Sequence, residues 1–134
     1  MTIKKCGISV VFMWFLVGGI GHFVAPDFFL QIVPPNLPFR LHAVYISGFF
    51  EIAGAAGLLA IWSRRPAGIG LFLLTIVVTP ANVYMWQHSQ LFPSISPTLL
   101  ALRLPLQLGL LTLIWWSTKT ERKYSYNKNN GSLM

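Results

Sequence analysis

The segment GFFEIAGAAGLLAIW (residues 48–62) is apolar at every position except Glu51. It continues an apolar run that begins near Leu41, so residues 41–62 have the length of about 20 mostly apolar residues that a bilayer-crossing helix needs. Its glycines and alanines allow a neighbouring helix to approach closely. The segment therefore predicts a membrane-spanning helix that carries a single acidic residue.

The composition of the whole chain also indicates a membrane protein. Of its 134 residues, 54% are hydrophobic and 10% are charged, against roughly 25% charged residues in an ordinary soluble domain. So few charges cannot cover a soluble fold of this size. The net charge of +7 does not indicate a nucleic-acid partner, because the basic residues lie in short clusters between apolar runs. The expected partner is the lipid bilayer.

Four segments have the length and apolarity of membrane spans: residues 6–23, 41–62, 66–86 and 98–117. A signal peptide at the N-terminus is disfavoured, because three further spans follow it. Lysines and arginines cluster before the first span, in a predicted turn at 63–66 and after the fourth span, whereas Arg40 is the basic residue of the opposite side. This asymmetry predicts cytoplasmic termini.

These observations predict an all-α fold, an integral membrane four-helix bundle formed by residues 1–118. Residues 119–134 are predicted to be a disordered cytoplasmic tail, because they are polar. The predicted location is a bacterial cytoplasmic membrane. The proline-rich loop APDFFLQIVPPNLPFR (25–40) has two interpretations, a short helix on the outer membrane surface capped by Asp27 or a hydrophobic loop packed on the bundle end.

The cysteine and histidine residues exclude several kinds of site. Cys6 is the single cysteine, so neither an internal disulfide nor a CxxC redox pair is expected. His22, His42 and His88 are isolated from further ligand residues, so no metal site is expected. The chain is therefore not expected to be a self-sufficient redox enzyme, and its sequence requires no cofactor.

Strong polar residues fall in the outer half of all four predicted spans. At about 1.5 Å per residue, Glu51 lies about 15 Å deep and Arg103 about 7 to 8 Å deep. A charge inside a bilayer is costly, so Glu51 is expected to pair with Arg103. The candidate polar pocket comprises His22, Tyr45, Glu51, Asn82, Arg103 and Gln107. It is either a structural cluster that determines helix register or a binding pocket.

Several motifs in order resemble the DoxX family of small four-span membrane proteins over about residues 15–118. They are GGIGHF (18–23), PDFF (26–29), PP (34–35), GFFEIAGAAGLL (48–59), RRPAG (64–68), TPANVYM (79–85) and RLPLQ (103–107), together with Arg40. The resemblance implies a four-helix membrane bundle. The family is named for a membrane subunit linked to a thiosulfate:quinone oxidoreductase, and its recurring polar positions appear here as His22, Glu51, Asn82, Arg103 and Gln107.

Two functional hypotheses follow. In the first, the chain is a quinone-linked membrane subunit of an oxidoreductase, in which Arg103 binds a quinone oxygen and Glu51 or His22 moves protons. Its partner is then an oxidoreductase subunit or a second copy. In the second, the chain is a non-enzymatic assembly or chaperone-type protein with a structural Glu51–Arg103 pair and a Phe-rich docking loop. Solute transport is disfavoured, because no inverted repeat is visible.

Overall fold

The structure is a computed structural model that describes residues 2–119. Within this part of the chain it contains five α-helices and a 3₁₀ turn. The helices are α1 (Ile3–Val24), α2 (Pro26–Ile32), α3 (Arg40–Gly57), α4 (Ile61–Gln87) and α5 (Pro97–Thr118), and the 3₁₀ turn is Ser89–Leu91. The all-α prediction is confirmed. The predicted tail, apart from Lys119, lies outside the described residues.

Three helices of the described chain, α1, α4 and α5, are long and apolar enough to cross a membrane. The chain is therefore a membrane protein by the length and composition of these helices. Helix α3 is long enough but is not apolar enough to be counted with these three. It has 18 residues and includes Arg40, His42 and Glu51, which lower its mean hydropathy.

The predicted turn at 63–66 is wrong, because α3 ends at Gly57 and α4 already begins at Ile61. Ser63 Oγ donates a hydrogen bond to the Gly57 carbonyl oxygen at 2.7 Å. Arg64 Nε donates to the Leu58 carbonyl oxygen at 2.9 Å. The last carbonyls of a helix have no partner within the helix, so these two side chains from the first turn of α4 cap the end of α3.

The four long helices contact one another in a definite order. Helix α1 packs against α3 and α5, and α4 packs against the same two helices. Helices α3 and α5 are therefore diagonal to each other. This order determines which polar side chains can meet.

Two apolar clusters hold the helices together. One joins the four long helices and contains Ile8, Val11, Phe15, Ala55, Leu58, Leu71 and Ile114. The other lies where α1 ends and α3 begins, here called the α2 end, and contains Ile32, Met85, Phe92 and Leu100. Phe28 and Phe29 of α2 pack against the second cluster.

The proline-rich loop thus contains a helix that packs on the end of the molecule. Helix α2 begins at Pro26, a position that suits proline because the first helical N–H needs no partner. Its last carbonyls are bound by Arg40, which donates to the oxygens of Leu30 at 2.7 Å and Val33 at 2.8 Å. Arg40 therefore ties α2 to the start of α3.

Candidate functional site

A histidine and a glutamate form the first polar group of the candidate site, between α1 and α3. His22 Nε2 lies 3.3 Å from Glu51 Oε1, and the two side chains are 10% and 12% exposed. His22 Nδ1 lies 2.8 Å from the Val44 carbonyl oxygen. A carbonyl oxygen can only accept, so Nδ1 carries a hydrogen and Nε2 faces the glutamate.

Close contact between two glycines brings these side chains together. A Cβ atom on Gly48 would lie 2.6 Å from His22 Cβ, and one on Gly19 would lie 2.7 Å from Ile52 Cγ1. Any larger residue at either position would push α1 away from α3. The glycines therefore set the helix separation at which the His22 ring spans from the Val44 carbonyl to Glu51.

Helix α2 covers the histidine. The Phe29 ring stacks on the His22 ring, with 4.0 Å between centroids and an interplanar angle of 23°. Gly21 leaves room for this contact, since a Cβ there would lie 3.3 Å from Phe29 Cε2. Phe29 is not one of the six residues predicted for the pocket, although the quinone hypothesis has Phe28 and Phe29 cover the pocket entrance. The sequence feature that indicates this contact is the short helix α2, which begins four residues after His22 and so can fold back over it.

A second polar group joins α4 to α5 through uncharged side chains. Asn82 Nδ2 donates to Gln107 Oε1 at 2.5 Å. Gln107 Nε2 donates to the Thr75 carbonyl oxygen at 2.8 Å and to Thr79 Oγ1. Pro80 lies inside α4 and has no N–H for the helix ladder. Gln107 therefore binds α4 on the turn where its backbone bonding is interrupted.

The predicted pairing of Glu51 with Arg103 is wrong. Arg103 Nη1 donates instead to Met85 Sδ at 2.9 Å, and the ionic partner of Glu51 among residues 2–119 is His22. The reason is the helix order, because Glu51 and Arg103 lie on the diagonal helices α3 and α5. A depth estimate from the sequence cannot detect this, since depth along a helix says nothing about which helices are neighbours.

The six predicted residues therefore do not form one cluster. His22 and Glu51 meet between α1 and α3, whereas Asn82, Arg103 and Gln107 lie between α4 and α5. Tyr45 joins neither group. It is 37% exposed, and its ring stacks on Phe23 with 5.6 Å between centroids.

An open-sided groove runs along α4 and α5 beside the amide group. Its first part has a volume of about 360 Å³ and its second about 370 Å³. The two parts share Leu108 and Leu111 and therefore lie next to each other. Thr79 and Gln107 line one end, and Trp115 and Trp116 line the other. This surface, here called the α4–α5 groove, has a polar end and a long apolar wall.

Comparison with known proteins identifies a family without assigning a function. A family model for a domain of unknown function matches residues 11–120. This range contains both polar groups and the whole α4–α5 groove. No curated protein and no solved structure matches the chain.

Proposed function

We propose that this chain, which belongs to the DUF8561 family of domains of unknown function, is a DoxX-like membrane protein that spans the membrane four times. The three span-capable helices are joined by α3, whose outward face is also apolar. Ile46, Phe49 and Phe50 on that face are 55%, 63% and 55% exposed. Lipid is the solvent that suits such a face, as it suits those of α1, α4 and α5.

The distribution of basic residues supports cytoplasmic termini. Arg65 Nη1 lies 3.4 Å from the Trp115 carbonyl oxygen, and a Cβ on Gly7 would lie 3.1 Å from Ser117 Cβ. The starts of α1 and α4 and the end of α5 therefore meet at one end of the molecule. Lys4, Lys5, Arg64 and Arg65 all belong to that end, and cytoplasmic surfaces carry such an excess of lysine and arginine.

Within this arrangement the chain acts as a quinone-binding membrane subunit of an oxidoreductase. The observation that carries this proposal is the α4–α5 groove, which joins a polar end to an apolar wall. A quinone has the same division, with two carbonyl oxygens on its head group and a long isoprenoid tail. The tail would lie along Leu108 and Leu111, and the head group would lie near Thr79 and Gln107.

Arg103 supplies hydrogen-bond donors near the polar end that fit the head group, whereas both amide hydrogens of Gln107 are bound to Thr75 and Thr79. Arg103 and Gln107 are four residues apart on α5 and so share a face. The guanidinium of Arg103 has five N–H groups, and its hydrogen bond to Met85 uses a thioether, which is a weak acceptor. A quinone oxygen is a better acceptor. The partner subunit would supply the electrons that a bound quinone accepts.

Extraction of the purified protein tests this proposal. The protein is isolated in mild detergent and extracted with organic solvent, and quinone is sought by ultraviolet absorbance and mass spectrometry. Leu108→Trp fills part of the groove with an indole ring and leaves Asn82 and Gln107 unchanged. We expect this variant to lose the quinone. Leu102→Trp is the matched control, because Leu102 is an exposed residue of α5 outside the groove lining.

Folded wild-type protein that contains no quinone would contradict the proposal. Equal amounts of quinone in both tryptophan variants would show that the molecule binds elsewhere. Glu51→Gln is expected to retain quinone, because Glu51 lies between α1 and α3 rather than at the groove.

One observation favours the second candidate function, a non-enzymatic assembly protein. Leu37 and Phe39 are 51% and 76% exposed at the α2 end, in the loop that joins α2 to α3. Such exposed apolar side chains can serve as a docking surface for another membrane or exported protein. Co-purification of a stable partner that is lost in Phe39→Ser, from protein that contains no quinone, would support this function instead.

A further inference from the structure

The hydrogen bonds of His22 limit the number of protons that the His22–Glu51 pair can hold. Nδ1 gives its hydrogen to the Val44 carbonyl oxygen, so Nε2 is the ring nitrogen that faces Glu51 Oε1. If Nε2 has no hydrogen, it accepts one from a protonated Glu51. If Nε2 is protonated, an imidazolium faces a carboxylate. Both forms contain one proton between Nε2 and Oε1 and are neutral overall.

Gain or loss of that proton would leave a net charge on a pair enclosed by helices. Such a charge beside the span-capable helix α1 is costly. Other ionisable side chains at this end of the molecule are engaged elsewhere or exposed. Arg40 binds backbone carbonyls, His42 contacts Phe39, Tyr45 stacks on Phe23, Arg103 contacts Met85, and Asp27 is exposed. The single shared proton is therefore the stable state.

The second carboxylate oxygen of Glu51, Oε2, is the atom of the pair that has no hydrogen-bond partner among residues 2–119, and the Glu51 side chain is 12% exposed. His22 is covered by Phe29, and both of its ring nitrogens have partners. Glu51 Oε2 instead lies beside Gly18, where a Cβ atom would come within 2.9 Å of it. Because Gly18 has no side chain and is only half-buried, this oxygen lies against the α1 backbone at a gap in the helix surface.

From these observations we infer that His22 and Glu51 form a binding site for one exchangeable proton, which enters and leaves at Glu51 Oε2 through the gap at Gly18. His22 holds the proton and returns it, but does not conduct it further, because its Nδ1–H is bound to a backbone carbonyl. The inference depends on contacts between α1, α2 and α3 alone. It is therefore independent of quinone binding at the α4–α5 groove.

A hydrophobic carbodiimide tests for such a proton. The O–H of a protonated carboxyl adds across a C=N bond of the reagent, and the resulting O-acylisourea rearranges to a stable N-acylurea with no atom lost. The full chain is reconstituted in lipid nanodiscs and treated with dicyclohexylcarbodiimide, and the adduct is located by mass spectrometry. We expect labelling at Glu51. A water-soluble carbodiimide should leave Glu51 unlabelled and label the exposed Asp27.

Two substitutions test the geometry. Gly18→Ala narrows the gap, so labelling of Glu51 should become about tenfold slower. The clash is with the end of a flexible side chain, so the fold should tolerate it. Gly109→Ala is the matched control, because a Cβ at Gly109 meets no atom within 4 Å. His22→Gln removes the group that shares the proton, so the proton stays on Glu51 and labelling should become several-fold faster.

Labelling absent from both the wild type and His22→Gln, in protein with unchanged thermal unfolding, would overturn the inference and make the pair structural. Equal labelling rates in Gly18→Ala and Gly109→Ala would overturn the proposed route. The wild-type measurement needs no substitution, so the test does not depend on any variant folding. Loss of quinone without loss of Glu51 labelling would contradict only the proposed function.

Discussion

At the scale of single residues, glycines decide how closely the helices approach. Gly48 and Gly19 face each other between α1 and α3, and Gly48 would place a Cβ atom 3.1 Å from the Gly19 carbonyl oxygen as well as 2.6 Å from His22 Cβ. Backbone atoms cannot rotate out of the way as a side-chain end can. The candidate histidine–glutamate pair therefore depends on Gly48, which has no side chain.

Gly48→Ala should destabilise the protein by about 1–3 kcal/mol, the usual cost of overpacking a tight contact. Thermal unfolding in detergent measures the effect. Gly70→Ala is the control, because a Cβ at Gly70 meets no atom within 4 Å, and alanine favours a helix over glycine by about 1 kcal/mol. A Gly48→Ala variant as stable as the control would mean that α1 and α3 do not approach as described.

At the scale of elements, polar side chains join helices whose apolar contacts have little directional preference. Arg40 ties α2 to α3, Arg64 caps α3 from α4, and Gln107 joins α5 to the turn of α4 around Pro80. The two arginines bind carbonyls at helix ends, which have no partner within the helix, and Gln107 binds a carbonyl inside α4. These bonds determine the order and register of elements that length and apolarity leave open.

Arg40→Leu should release α2 without unfolding the long helices. The carbonyls of Leu30 and Val33 lose their donor, and each lost hydrogen bond to a charged group costs about 1.5–3 kcal/mol. Hydrogen exchange followed by mass spectrometry should show at least tenfold faster exchange of α2 amides. Gln31→Ala, at an exposed position of α2, should leave exchange unchanged. Equal exchange in both variants would exclude the capping role.

The amide bond between α4 and α5 can be tested by a double-mutant cycle. Asn82→Leu leaves Gln107 Oε1 without its donor. Gln107→Leu leaves Asn82 Nδ2 without its acceptor and removes one of the donors to the Thr75 carbonyl oxygen, which Thr79 Oγ1 still binds. Each single variant should lose about 1–3 kcal/mol of stability. The double variant should lose less than the sum, because the same bond is removed once. Additive losses in thermal unfolding would show that the two amides do not interact.

At the scale of the whole molecule, the number of membrane crossings depends on α3. Its sequence is less apolar than that of α1, α4 or α5, yet its packing is equivalent to theirs. It lies between α1 and α4, and its outward side is apolar. The polar residues that lower its hydropathy are either at its start or, like Glu51, turned towards α1. The contact with His22 thus buries Glu51, so the acidic residue that lowers the hydropathy of α3 does not face lipid.

Four crossings place residues 37 and 59 on opposite sides of the membrane, whereas a non-crossing α3 places them on the same side. In a Cys6→Ala background, an impermeant maleimide added to intact cells should label Leu37→Cys and not Leu59→Cys. Both positions are exposed, at 51% and 64%. Permeabilised cells provide the control, since both variants should then react. Labelling of both in intact cells would contradict the four-span arrangement.

The amino-acid sequence was enough to predict the helical class, the membrane environment and the positions of the polar residues along each helix. These properties follow from composition and from lengths along an axis, which a one-dimensional pattern contains. The first and last helices agree with the predicted spans to within a few residues. Only the packing of the helices determines the partner of Glu51, the stacking of Phe29 on His22 and the turn at 58–60. Each depends on which helix lies beside which, and Glu51 and Arg103 lie on the diagonal helices α3 and α5.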